Sequence, residues 1–199
     1  MRILRCLAFL WLLLVSLSCA HYGNKSYHYI RLTPPAAVAK AEVPIWIDKN
    51  FSAADLESLD GAIAEWNFVL NGHVKLVVVS RTFDMEPSEI LKAKDLDGWL
   101  VMKIDSRNEV VREKNWLAYC DRVGGHYMYM VRDRLRDGDV KQVGMHELGH
   151  LLGSEHVGEH LMYKYYVWGR YSCIDRETAE EVAMHWNLTP DRLNFCVPD

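Results

Sequence analysis

His146 and His150 stand four residues apart, with Glu147 beside the first of them. On a helix that interval places both imidazoles on one face, pointing the same way. Two neutral imidazoles at a fixed separation suit zinc, which accepts nitrogen ligands at about 2.0–2.1 Å. Glu147 then projects where it can reach a water on the metal without occupying the metal itself. Gly153, three residues past His150, lets the chain leave the helix through a left-handed conformation, and the turn returns His156 toward the same point. Three His ligands with a fourth position open make a catalytic zinc site, whereas structural sites are closed by four protein ligands. The competing reading is a solvated helix with incidental histidines. It does not account for five specified positions falling together.

The rest of the chain must position that segment. A short strand is expected over residues 43–47. Asn50 or Ser52 can cap a helix running to about residue 70, with Leu56, Leu59, Ile63, Trp66 and Leu70 on one face. Asn71-Gly72 ends it, and the β-branched run at 74–79 reads as a buried strand. A helix-compatible connection follows at 87–94, then strands at 98–104, 116–120 and 126–131, the last two joined through Gly124-Gly125. Asp139 is a candidate cap for the helix carrying His146 and His150. A last helix is expected over 175–186. That order gives an α+β or mixed-sheet single domain.

Six residues after His156 comes Met162, in Leu161-Met162-Tyr163. A lone methionine there would more often be core filler. The combination His146-Glu147-x-x-His150-x-x-Gly153-x-x-His156 with a following Met-turn resembles the metzincin clan of zinc endopeptidases, and Leu-Met-Tyr is most similar to the matrixin-like branch. The resemblance implies a twisted, mixed but mostly parallel sheet, a long first helix, a zinc-binding helix and a C-terminal helix over residues 43–199. It implies His146, His150 and His156 as ligands of one zinc ion, Glu147 as general base and Met162 as the floor beneath the site. Trp66 and Leu117-Ala118-Tyr119 are also similar to matrixin positions. In such families an extended peptide or protein substrate lies against an edge strand, here expected at 116–120, and the segment 163–171 walls the pocket beyond the scissile bond.

The sequence also departs from that pattern. Lys164 stands where matrixins place Pro, and where some metzincins carry a tyrosine ligand, so no tyrosine ligand is assigned. No set of calcium loops is recognisable, and His126 lacks partners for a second metal. Two other readings of the motif stay open: a zinc-binding surface module without proteolysis, and a metallohydrolase acting on cell-wall peptides.

Residues 1–20 begin with Arg2 and Arg5, run apolar from Leu7 to Val15 and end in small residues, as a secretory signal peptide does. An uncleaved anchor is the alternative. Ser18-Cys19 resembles a lipoprotein signal, with Cys19 as the lipidated residue; cleavage near Ala20 is its rival. Export to the exterior, the periplasm or the cell surface is therefore expected, with any membrane contact made through that lipid. Residues 21–42, with Pro34-Pro35, read as a linker or arm. Beyond Cys19 lie Cys120, Cys173 and Cys196, and Cys173 with Cys196 is the preferred disulfide because the pair brackets the last helix. Cys196-Val197-Pro198-Asp199 also partly echoes the matrixin inhibitory cysteine segment, at the opposite end of the chain.

The chain has 199 residues, half of them hydrophobic and a quarter charged, with a net charge of −4 and no basic stripe. Nucleic-acid binding gains no support from this. Ten Tyr and seven Trp fit a core first and a peptide cleft second. The chain is expected to act as a monomer.

Overall fold

The computed structural model describes residues 27–167 and 173–198. The expected signal segment and Cys19 lie outside the described residues, as does part of the expected pocket wall.

A five-stranded sheet runs in the order β3-β2-β4-β6-β5. Its strands are β2 (Ala41–Asp48), β3 (Val74–Phe83), β4 (Trp99–Ile104), β5 (Ala118–Cys120) and β6 (Tyr127–Val131). The β2–β3, β2–β4 and β4–β6 pairs are parallel, and β5 is an antiparallel edge strand on β6. Alternation divides the strands between two cores. Ile45, Ile47, Val101, Met128 and Met130 face a large cluster shared with the helices α1 (Ala53–Val69) and α3 (Asp139–Leu151). Leu100 and Met102 face a smaller cluster with Ala93 of α2 (Pro87–Asp95). The buried, near-continuous apolar reading of β4 follows from being covered on both faces.

α1 starts where Ser52 and Asp55 satisfy each other's backbone N–H groups at 3.2 Å, a capping box. It ends as expected at Asn71 and Gly72, both at positive φ. Its buried face carries Leu59, Ala62, Ile63, Trp66 and Val69. Gly144 lets α3 approach this face closely, since a Cβ there would lie 3.3 Å from Leu59 Cδ2. Trp66 Nε1 closes the contact by donating to the Met145 carbonyl at 2.8 Å.

The segment read as an arm contains β1 (Tyr27–Ile30), antiparallel to β7 (Phe195–Pro198). The Tyr29 hydroxyl donates to Glu65 of α1, which also holds Lys141 of α3 at 2.9 Å. Further along, Ala36 and Lys40 donate backbone bonds to Asn71 and His73. Cys173 and Cys196 form the expected disulfide, fixing β7 beside α4 (Arg176–His185). Cys196 is therefore not a thiolate, and the inhibitory reading of that terminus falls. No described helix is long and apolar enough to cross a membrane.

Two local expectations change. Gly138, not Asp139, is the cap residue of α3. Asp139 is already helical, and its carboxylate turns back to accept from Arg136 N at 3.0 Å and from the Tyr166 hydroxyl at 2.6 Å. The strand expected over 116–120 shortens to Ala118–Cys120.

Candidate metal centre

His146 and His150 project from adjacent turns of α3, and the helix ends just beyond them at Leu152. Gly153 then takes φ +101°, a region that favours glycine. This reverses the chain and carries His156 back over the helix end. The three rings converge, with a ligating nitrogen from each lying within 4.8 Å of the others. Nε2 of His150 and Nε2 of His156 are 3.2 Å apart. Nitrogens bound tetrahedrally to one zinc are separated by about 3.3 Å, from zinc–nitrogen bonds of about 2.0–2.1 Å.

Two of the rings have their tautomers fixed. His146 Nδ1 faces the Leu161 carbonyl at 2.6 Å, and His150 Nδ1 faces the Ser154 carbonyl at 2.8 Å. A carbonyl only accepts, so each Nδ1 carries the proton and each Nε2 presents a bare lone pair to the shared centre. Burial, helped by the neighbouring His150, pushes His146 down to about 4, and burial likewise lowers His150 and His156. The rings are thus neutral near pH 7, the form that binds a metal. Three imidazoles with their donor nitrogens this close together form a donor set that fits zinc.

Glu147 lies on the cleft side of α3 and is 6% exposed. Burial pushes its carboxyl up to about 7, opposed by a hydrogen bond from Cys120. The Cys120 thiol on β5 lies 3.1 Å from Glu147 Oε2 and 3.2 Å from its carbonyl oxygen. Burial and the facing carboxylate hold that thiol well above its ordinary value, so it is a donor and not a thiolate. In the sequence Cys120 reads as a candidate for disulfide pairing and as the end of the edge strand, with nothing to mark it as a partner of Glu147. Its place beside Glu147 depends on β5 crossing α3, for which no local signal exists.

Met162 is fully buried. Its Sδ occupies the space that a side chain on Gly149 would need, since a Cβ there would be 2.6 Å away. The methionine thus rests on the helix backbone between the two first ligands. The Leu161 carbonyl on one side of it fixes His146, and the Met162 carbonyl accepts from Val157 N at 3.2 Å, closing the loop that carries His156.

A cleft of about 920 Å³ opens over this centre, lined by Trp116, by Tyr119 of β5 and by Tyr163 and Tyr166. Lys164 and Tyr165 are exposed at its rim. His126 is not part of the centre; it lies at the start of β6, with Nδ1 3.9 Å from Asp97 Oδ1.

No protein-family model matches the sequence, and no curated protein does. Among solved structures the chain is similar to metalloproteinase-II from Bacteroides fragilis, at 15% identity and a TM-score of 0.48. The match covers 79% of this chain and 55% of that one, so the chain spans about half the length of that relative. At that level of overlap the residues of the centre, and not the likeness, carry any reading of function.

Proposed function

We propose that the chain is an exported, matrixin-like zinc-dependent endopeptidase, with Glu147 as general base. The observation that carries this is the convergence of three neutral imidazoles from His146, His150 and His156 beside one buried carboxylate at the floor of an open cleft. A fourth protein ligand is absent among the described residues, which leaves room for a substrate or water. Zinc held there would supply Lewis acidity, acidifying a water and polarising the scissile carbonyl.

The chain's own groups do the rest. Glu147 Oε2 is engaged by the Cys120 thiol, which leaves Oε1 to take the proton from the attacking water and to return it to the leaving amine. β5 pairs on one side with β6, and its other edge is unpaired among the described residues. An extended peptide could add there as a further strand, passing over Glu147. Tyr163 and Tyr166 would bound the pocket beyond the scissile bond. The N-terminal sequence pattern and the Cys173–Cys196 disulfide support an exported protein.

The test is cleavage of a mixed peptide library by the zinc-loaded protein, with and without chelator. Chelator-sensitive cuts at internal bonds support the reading. A metal-loaded protein that cuts no peptide would sink it and leave the non-proteolytic surface module in its place; cuts confined to cell-wall peptides would narrow it to that substrate.

A further inference from the structure

The third ligand is placed differently from the first two. His146 and His150 are each held by a ring-to-carbonyl bond, but His156 has no such bond among the described residues and is exposed. Apart from its contacts with the other two rings, its position rests on the backbone that carries it. That backbone rests on one face of α4. Trp186, the residue that ends α4, donates its Nε1 to the Leu152 carbonyl at 3.1 Å. His185 fills the space that a side chain on Gly153 would need. Glu181, one turn earlier, accepts twice on a single oxygen: from the Ser154 hydroxyl at 2.8 Å and from Glu155 N at 2.8 Å.

Ser154 is fully buried, and its own carbonyl accepts from His150 Nδ1. One carboxylate therefore anchors the residue that orients the second ligand and the residue that precedes the third. Bonds to an ionised acceptor are among the strongest that a protein makes. The Ser154 hydroxyl has one proton, and Glu181 at 2.8 Å outcompetes the Glu155 carbonyl at 3.2 Å for it.

We propose that Glu181 is a positioning residue for the metal centre: through Ser154 and the Glu155 amide it holds the loop from Gly153 to His156 in the one shape that brings the third imidazole to the metal. The assignment rests on the zinc reading above. It places a determinant of metal affinity on a helix that contributes no ligand.

The experiment is a zinc titration of the full chain against a competing chromophoric chelator, with circular dichroism confirming that each metal-free variant is folded. Removing an outer partner of this kind weakens binding by about 10–100-fold. Glu181→Ala is expected to show that loss. Glu181→Gln keeps an oxygen that can accept both bonds and is expected to stay within about threefold of the parent. Ser154→Ala removes one of the two bonds and should fall between. Unchanged affinity in Glu181→Ala overturns the proposal, as does an equal loss in Gln and Ala. If Glu181→Ala does not fold, Ser154→Ala decides, and parent-like affinity there overturns it. A parent that takes up no zinc sinks the metal reading and this inference with it. A parent that binds zinc while both alanine variants bind as tightly sinks this inference alone.

Discussion

Cys120 Sγ sits 3.1 Å from Oε2 of Glu147, so the one free thiol of the described residues faces the carboxylate proposed as the base. A thiol is a weak donor, and a hydrogen bond of this kind contributes about 1 kcal/mol. Its geometric effect is to engage one carboxylate oxygen and leave the other for the water. Cys120→Ala should therefore lower kcat about fivefold with KM nearly unchanged, the signature of an interaction made in the transition state. Cys120→Ser keeps a donor and should retain most of the rate. Equal kcat in the parent and Cys120→Ala would show that the thiol only fills space.

Glu147→Gln tests the base itself. The amide has nearly the shape of the carboxylate and leaves the three imidazoles in place. Zinc affinity should stay within a few-fold of the parent, while hydrolysis falls by about 10²–10⁴. The two readouts, zinc titration and single-substrate turnover, separate lost chemistry from lost metal. A Glu147→Gln protein that cleaves as fast as the parent rules out the assigned role.

Gly149 and Met162 share one space. Alanine at position 149 would bring Cβ within 2.6 Å of Met162 Sδ. Crowding of that kind costs about 1–3 kcal/mol, and the better helix propensity of alanine returns about 1 kcal/mol. Gly149→Ala should be net destabilising by about 1 kcal/mol, which lowers Tm by about 2–4 °C at this chain length. Met162→Ala opens a cavity that the new methyl can enter. The double variant should therefore lose clearly less than the sum of the singles, as measured by denaturant unfolding of all four proteins. Additive losses would mean that the two residues do not contend for the same volume.

What could be read in advance follows from distance along the chain. The His146–His150 pair, the Gly153 reversal and the Asn71-Gly72 helix stop are local, and each is written in a few adjacent residues. The mostly parallel sheet was legible only through the metzincin resemblance, since the order of elements by itself gives no more than an α+β or mixed-sheet domain. Contacts made only by tertiary packing left no such trace. β1 pairs with β7 from the far end of the described chain, and neither strand is long enough to show a strong period. Glu181 reaches Ser154 across a helix and a loop, and on sequence it is one of several charged residues on α4. Asp139 looked like a cap because its residue type favours that position, but its backbone is already helical and its side chain serves Arg136 and Tyr166 instead.

Asp55 gives the fold an acid-sensitive joint away from the metal. It is 3% exposed and accepts from Arg132 Nε at 2.7 Å, so one buried carboxylate ties the start of α1 to the segment after β6. Burial by itself would raise this carboxyl. Hydrogen bonds from Arg132 and Ser52 outweigh it and hold the group below the ordinary 3.8. A folded-state value below the unfolded one stabilises the fold wherever the group is ionised in both states. The contribution is therefore complete above about pH 4 and is lost as pH falls through the lower folded value. Asp55→Asn should remove that part of the acid transition, so that its stability curve below about pH 4 is flatter than the parent's. At neutral pH it should lose about 2–4 kcal/mol, less than a fully buried broken pair, because Arg132 keeps Asp137 and the Leu135 carbonyl. Urea unfolding at several pH values between 2 and 7 reads both effects on the metal-free protein, which keeps the histidines' metal linkage out of the measurement. Parallel pH curves for parent and Asp55→Asn would show that the acid sensitivity lies in other carboxylates.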